Sequence, residues 1–161
     1  MNLAADAPLW LAWLLALSLV IAAVEDAARL RISNYTSLAV LVLALVAVVL
    51  TGFLPSLWEN GVNFAAVLVV GSFLFGRRIL GGGDVKLLAA VALWFDFSGV
   101  LPLLSSVLIA GGVLALLILT ARMFTGNSTS NRIAVLNKNA GIPYGIAIAA
   151  GTLIIIAVMR A

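Results

Sequence analysis

The sequence predicts an all-α, polytopic membrane protein of six transmembrane helices. Three observations predict it. Of its 161 residues, 65% are hydrophobic and only 9% are charged, whereas soluble domains carry about 25% charged residues. Apolar stretches recur at residues 8–24, 36–54, 61–75, 84–95, 100–121 and 142–159. The charged residues sort to alternate linkers between those stretches. At this length one domain, residues 1–161, is expected. Cysteine and histidine are both absent. Disulfides, good zinc ligands and His-dependent nucleophilic catalysis are thereby excluded. Acid–base chemistry falls to carboxylates, Lys, Tyr or water. No cofactor and no metal site are expected.

Taken in order, residues 1–7 hold Asp6 and no basic residue. A secretory leader needs a positively charged start, so the first span is expected to be a retained helix. The linkers after the first, third and fifth spans, with their flanks, hold Arg29, Arg31, Arg77, Arg78, Lys86, Arg122, Arg132 and Lys138. The other side has Arg160 with Asp6, Glu59 and Asp96. The positive-inside rule puts the basic linkers in the cytoplasm and both termini outside. The net charge of +3 therefore marks orientation, and no nucleic-acid surface is expected.

The fourth span is short. Its twelve residues from 84 to 95 make a helix of about 18 Å, against a hydrocarbon core of about 30 Å. Either the helix continues past Asp96, or the preceding glycines dip below the surface and line a cavity, where non-helical backbone is permitted. Residues 125–141 form the longest linker, polar at both ends with Ile133 to Leu136 apolar between them. It is expected to connect spans five and six. In the last span Gly141 and Gly145 are spaced for close helix contact, and Pro143 suits a helix start.

Gly81-Gly82-Gly83-Asp84-Val85-Lys86 is the centre of the chain. Glycine lets the backbone take positive φ or approach other groups closely, and an acid at membrane depth marks a functional site. The bland alternative is a tight turn with Asp84 capping the next helix. Among six acids, only Glu25 and Asp26 share the glycine side with Asp84. Two carboxylates at one site are what an aspartic protease needs, because close like charges share a proton. Glu25 has Arg29 at i+4, so an ion pair accounts for it more readily than for Asp26.

These residues carry a resemblance. The stretch from Asp26 through Ile32-Ser33-Asn34 resembles the Asp-x5-Ile-Pro-Asn element of type IV prepilin peptidases. Gly81-Gly82-Gly83-Asp84-Val85-Lys86 is similar to their Gly-x-Gly-Asp-x-Lys element, and Pro143-Tyr144-Gly145 to the Pro-Tyr/Phe-Gly opening their last helix. The resemblance implies an intramembrane aspartic endopeptidase with Asp26 and Asp84 as the catalytic pair. Gly81, Gly83 and Lys86 would form the active-site loop, and Asn34, Pro143, Tyr144 and Gly145 would support it. It implies a prepilin substrate, with a basic leader ahead of a hydrophobic helix, cut at the cytoplasmic face of the inner membrane. Ser33 replaces the usual Pro, which implies a less rigid turn. The large cytoplasmic segment and its zinc-binding Cys pairs are absent, so no methyltransferase domain is expected. The short form is similar to the peptidases of Tad/Flp pili. Two alternatives are weaker. Presenilin-like proteases place a second acid on the preceding span, and residues 61–75 hold none. A small transporter or assembly subunit would show midplane acids or inverted repeats.

Within the pair, Asp84 at a helix start and Asp26 near a helix end feel opposite dipole ends. Asp84 is therefore expected to be the anion and Asp26 the proton carrier, provided the first helix ends before Arg31.

Overall fold

The computed structural model describes residues 1–53, 55–124 and 141–161. All regular structure among them is helical: α1 (Leu3–Asp6), α2 (Leu9–Arg29), α3 (Asn34–Thr51), α4 (Leu57–Gly76), α5 (Gly82–Ala92), α6 (Phe97–Phe124) and α7 (Tyr144–Arg160). The expectations for residues 125–140 lie outside the described residues.

Four helices, α2, α3, α4 and α6, are long and apolar enough to cross a membrane. Only 22–28% of their apolar windows is buried inside the molecule. Their outer faces carry Trp13, Val49, Val69 and Leu116 exposed, which suits lipid and not water. α7 is apolar but shorter, at 17 residues. Sequence expectation and structure differ in span count, six expected against four helices of that length among the described residues, and at helix ends. α2 runs past residue 24 through Glu25, Asp26 and Arg29, and α6 begins at Phe97. Hydropathy falls at charged residues, but helical hydrogen bonding does not.

α5 and α7 form the centre. α5 packs against α3, α4 and α7, and α7 packs against α2 and α6 as well. Glycine permits the closest approaches. A Cβ on Gly151 of α7 would lie 2.7 Å from the Val107 backbone of α6, and one on Gly71 of α4 would lie 2.7 Å from Val85 Cγ1 of α5. Ser106 Oγ also donates to the Gly151 carbonyl at 2.9 Å. Small residues and interhelical hydrogen bonds are what hold helices together where lipid is as apolar as leucine.

The short fourth span resolves unexpectedly. α5 does not continue past Asp96. Its eleven residues reach only about 17 Å, and the chain then turns through Leu93, Trp94 and Phe95. Each of the three carbonyls in that turn is bonded. Asn60 Nδ2 donates to Leu93 O at 2.9 Å, Asn63 Nδ2 to Phe95 O at 2.9 Å, and the Ala4 amide of α1 to Trp94 O at 3.1 Å. The Trp94 and Phe95 side chains are fully buried, and Trp94 Nε1 donates to Val40 O. Irregular backbone is tolerated here because protein covers it. Arg160 ties the same end by donating to Ala4 O and Ala7 O at 2.8 and 2.9 Å.

Candidate active site at the glycine end

The opposite end of the bundle gathers the α2–α3 turn, the start of α5 and the start of α7. α2 stops at Leu30, which takes a left-handed conformation (φ 53°, ψ 35°) and returns its amide to Asp26 O at 2.8 Å. This left-handed closure is common at helix ends, although glycine usually supplies it. Asp26 therefore lies in the last turn of α2, buried. Ser33 caps α3 by accepting the Tyr35 amide at 3.2 Å.

Glu25 does not pair with Arg29. Its Oε2 accepts the Ser33 amide at 3.0 Å and Thr36 Oγ1 at 2.8 Å. A proline at 33 would have no amide to give. The serine thus turns a rigid position into a hydrogen-bonded one, and Glu25 becomes a clamp on the α2–α3 turn.

Asp84 is the third residue of α5. Its Oδ2 accepts the Gly81 amide at 3.2 Å, closing a capping arrangement over the helix start. The capping alternative is thus real, and it coexists with access to a cavity of about 880 Å³, which Asp84 and Asp26 line together with Gly81, Tyr144, Arg78 and Arg122. A smaller recess of about 300 Å³, floored by Gly81, Gly82 and Gly83, is bounded by the same two acids. Asp84 lies close enough to Asp26 to feel its charge.

None of the three glycines has positive φ; among the described glycines only Gly52 does. Clearance is what requires them. A Cβ on Gly81 would sit 2.7 Å from Asp84 Oδ2, and one on Gly83 would sit 3.1–3.3 Å from Ile32, two of the three nearest atoms being backbone. A Cβ on Gly82 would meet only the Phe75 ring, at 3.3 Å. Gly145 is crowded by more atoms. Its amide donates to Asp26 Oδ2 at 2.7 Å, and a Cβ would lie 2.8 Å from Ile32 Cδ1 and 2.9 Å from Asp26 Oδ2. Pro143 stands immediately before α7 at its cap position.

The Gly145 bond revises the expected asymmetry of the pair. α2 does end before Arg31, as that argument required. However, Asp26 receives an N–H from the start of α7, just as Asp84 receives one from the start of α5. Asp26 thus lies at the negative end of α2 and also faces the positive end of α7, so its dipole contrast with Asp84 is smaller than the α2 end alone would give. Lys86 also departs from expectation. It lines neither cavity that the acids share, and no ion pair joins it to an acid among the described residues. Two positions beyond Asp84 it points to another face of α5, where its Nζ donates to Asn34 Oδ1 at 2.8 Å beside a mainly apolar groove. It braces α5 to α3.

Sequence reasoning counted Arg78 and Arg122 only as orientation charges and gave Ile32 no role. The available signals were the place of Arg78 beside the glycine stretch and of Ile32 within the Ile-Ser-Asn element; Arg122 offered only its charge. Arg78 holds a left-handed conformation (φ 60°) at the cavity wall, and Ile32 is the surface against which both Gly83 and Gly145 close.

A family model described as the type IV leader peptidase family matches residues 13–125. That is more than two thirds of the chain, and it includes both acids and the glycine stretch but not Pro143-Tyr144-Gly145. No curated protein and no solved structure matches the chain.

Proposed function

This chain belongs to the type IV leader peptidase family, and on that premise we propose that it is an intramembrane aspartic endopeptidase removing the leader from Flp-like type IV prepilins. It is a multi-pass membrane protein; in the reading proposed it is a single domain of six spans in the inner membrane, with both termini outside and the acids at the cytoplasmic face. The sorting of Arg29, Arg31, Arg77, Arg78 and Arg122 to the glycine end supports that orientation. The observation that carries the activity is the convergence of Asp26 and Asp84, from α2 and α5, on one cavity.

The chemistry follows from two carboxylates sharing one proton. The ionised one takes a proton from water as the water oxygen attacks the scissile carbonyl carbon. The protonated one hydrogen-bonds the carbonyl oxygen, and the tetrahedral intermediate expels the amine, which leaves with a proton. The Gly145 and Gly81 amides hold the two carboxylates in place throughout. Co-expression with an Flp-type prepilin tests this. The prepilin should shorten by its leader, and Asp26→Asn and Asp84→Asn should each lower the rate at least about 100-fold while the protein still accumulates in the membrane. Undiminished cleavage by either variant would refute the dyad.

A further inference from the structure

A second cavity opens on Asp84 from the side away from Arg78 and Arg122. It is small, about 260 Å³, and shares Leu80, Asp84 and Tyr144 with the main cavity. Beyond those three it is walled by apolar residues alone, among them Leu88, Leu108, Gly112, Ala115 and Ile148. Leu88 lies one turn beyond Asp84 along α5, and Ile148 one turn beyond Tyr144 along α7. α6 runs the other way, so Ala115 and Gly112 lie well back from its Phe124 end. The cavity therefore extends from the acids along the helices toward mid-depth of the bundle, with exposed Leu108 and Gly112 at its outer edge on α6. Pockets for whole small ligands run to about 300–1,000 Å³, and this one is smaller, of a size for a side chain.

We propose that this cavity is the subsite for a bulky apolar side chain on the helix side of the cut bond, and that Gly112 and Ala115 set the size it accepts. The inference rests on the leader-peptidase reading, because it takes the occupant from that substrate. A chain crossing the dyad has its basic leader outside the apolar region and its hydrophobic helix within it. The recess that continues from Asp84 into apolar surroundings is then the natural seat for the first large residue of that helix. Seating that side chain holds the scissile carbonyl over the acids and orients the peptide in one direction. Gly112 leaves the recess open: a Cβ there meets nothing within 4 Å, so a larger residue would enter the cavity without displacing a neighbour.

The test is size complementarity in the purified full-length protein. Gly112→Leu and Ala115→Leu are assayed on an Flp-type prepilin and on a prepilin whose large apolar residues next to the cut, on the helix side, are changed to Ala. Each variant should lower kcat/KM for the parent prepilin about 10-fold or more, the scale for an apolar pocket, chiefly through KM, and should act on the Ala-substituted prepilin almost as wild type does. Equal loss on both substrates, or no loss on either, would overturn the subsite while leaving the peptidase reading standing. Failure of the wild-type protein to cleave any prepilin would overturn both.

Discussion

Position 145 has no room for a methyl group. A Cβ there would press on Asp26 Oδ2 at 2.9 Å and Ile32 Cδ1 at 2.8 Å, so Gly145→Ala should displace the carboxylate it normally donates to. Overpacking of this kind costs about 1–3 kcal/mol, but the larger effect should be on activity, read as lost prepilin cleavage in protein that still folds. The glycine stretch should grade in the same way. Gly81→Ala and Gly83→Ala should impair cleavage, because the first meets Asp84 and the second meets Ile32 backbone. Gly82→Ala should be tolerated, because the Phe75 ring can turn aside. Equal tolerance at all three would mean that the close approaches do not matter. At Glu25 the acceptor is needed more than the charge. Glu25→Gln should keep most activity and Glu25→Ala should lower thermal stability by about 1 kcal/mol per bond lost, since the Ser33 amide and Thr36 hydroxyl lose their partner.

At the scale of single helices, the start of α6 offers a pH-dependent test far from the acids. Asp96 lies just before α6 and accepts Ser98 Oγ at 2.7 Å and the Gly99 amide at 3.0 Å. Partial burial alone would raise its carboxyl, but the Ser98 and Gly99 bonds and the nearby terminal ammonium hold it below its ordinary value of 3.8. A carboxyl lowered on folding contributes stability above its unfolded value and loses it as pH falls. Asp96→Asn should therefore melt below wild type near neutral pH, and the gap should close as pH falls through 3.8 and below. A gap that stays constant down to acid pH would show that the charge is irrelevant. Asp96→Ala should cost about 1 kcal/mol, the usual worth of a helix cap.

For the whole molecule, the ends of the bundle carry opposite character: Arg-rich at the dyad, with Glu59 and Asp96 at the other. Exported reporters fused after Ala161 should be active, and those fused at Ile79, between α4 and α5, should be inactive. An active fusion at Ile79 would invert the orientation. Much of this was legible in the residues. Long apolar runs locate helices whatever they pack against, and alternate basic linkers order their ends. Asp26 and Asp84 could be paired because so few acids exist. What was not legible depends on contacts distant in sequence. The closure of α5 rests on Asn60, Asn63 and α1, which hydropathy reads only as polar interruptions. Glu25 gave its bonds to a turn eight residues on, though Arg29 was nearer. Lys86 shares a short motif with Asp84, yet helical geometry turns it to another face. The requirement for glycine was visible, but its reason was clearance and not positive φ.

The hydrogen bond from Gly145 to Asp26 joins residues 119 apart. Chains are made N-terminus first at about 5–20 residues per second, so roughly 6–24 s separate the synthesis of the two partners. During that interval both acids already exist, but the wall that Tyr144 and Gly145 provide does not. Until α7 is made, Asp26 lacks the amide that fixes its carboxylate. On the reading proposed, a chain released before α7 should hold both acids without the Gly145 bond to Asp26, and it should fail to cleave a prepilin that the chain with α7 cleaves.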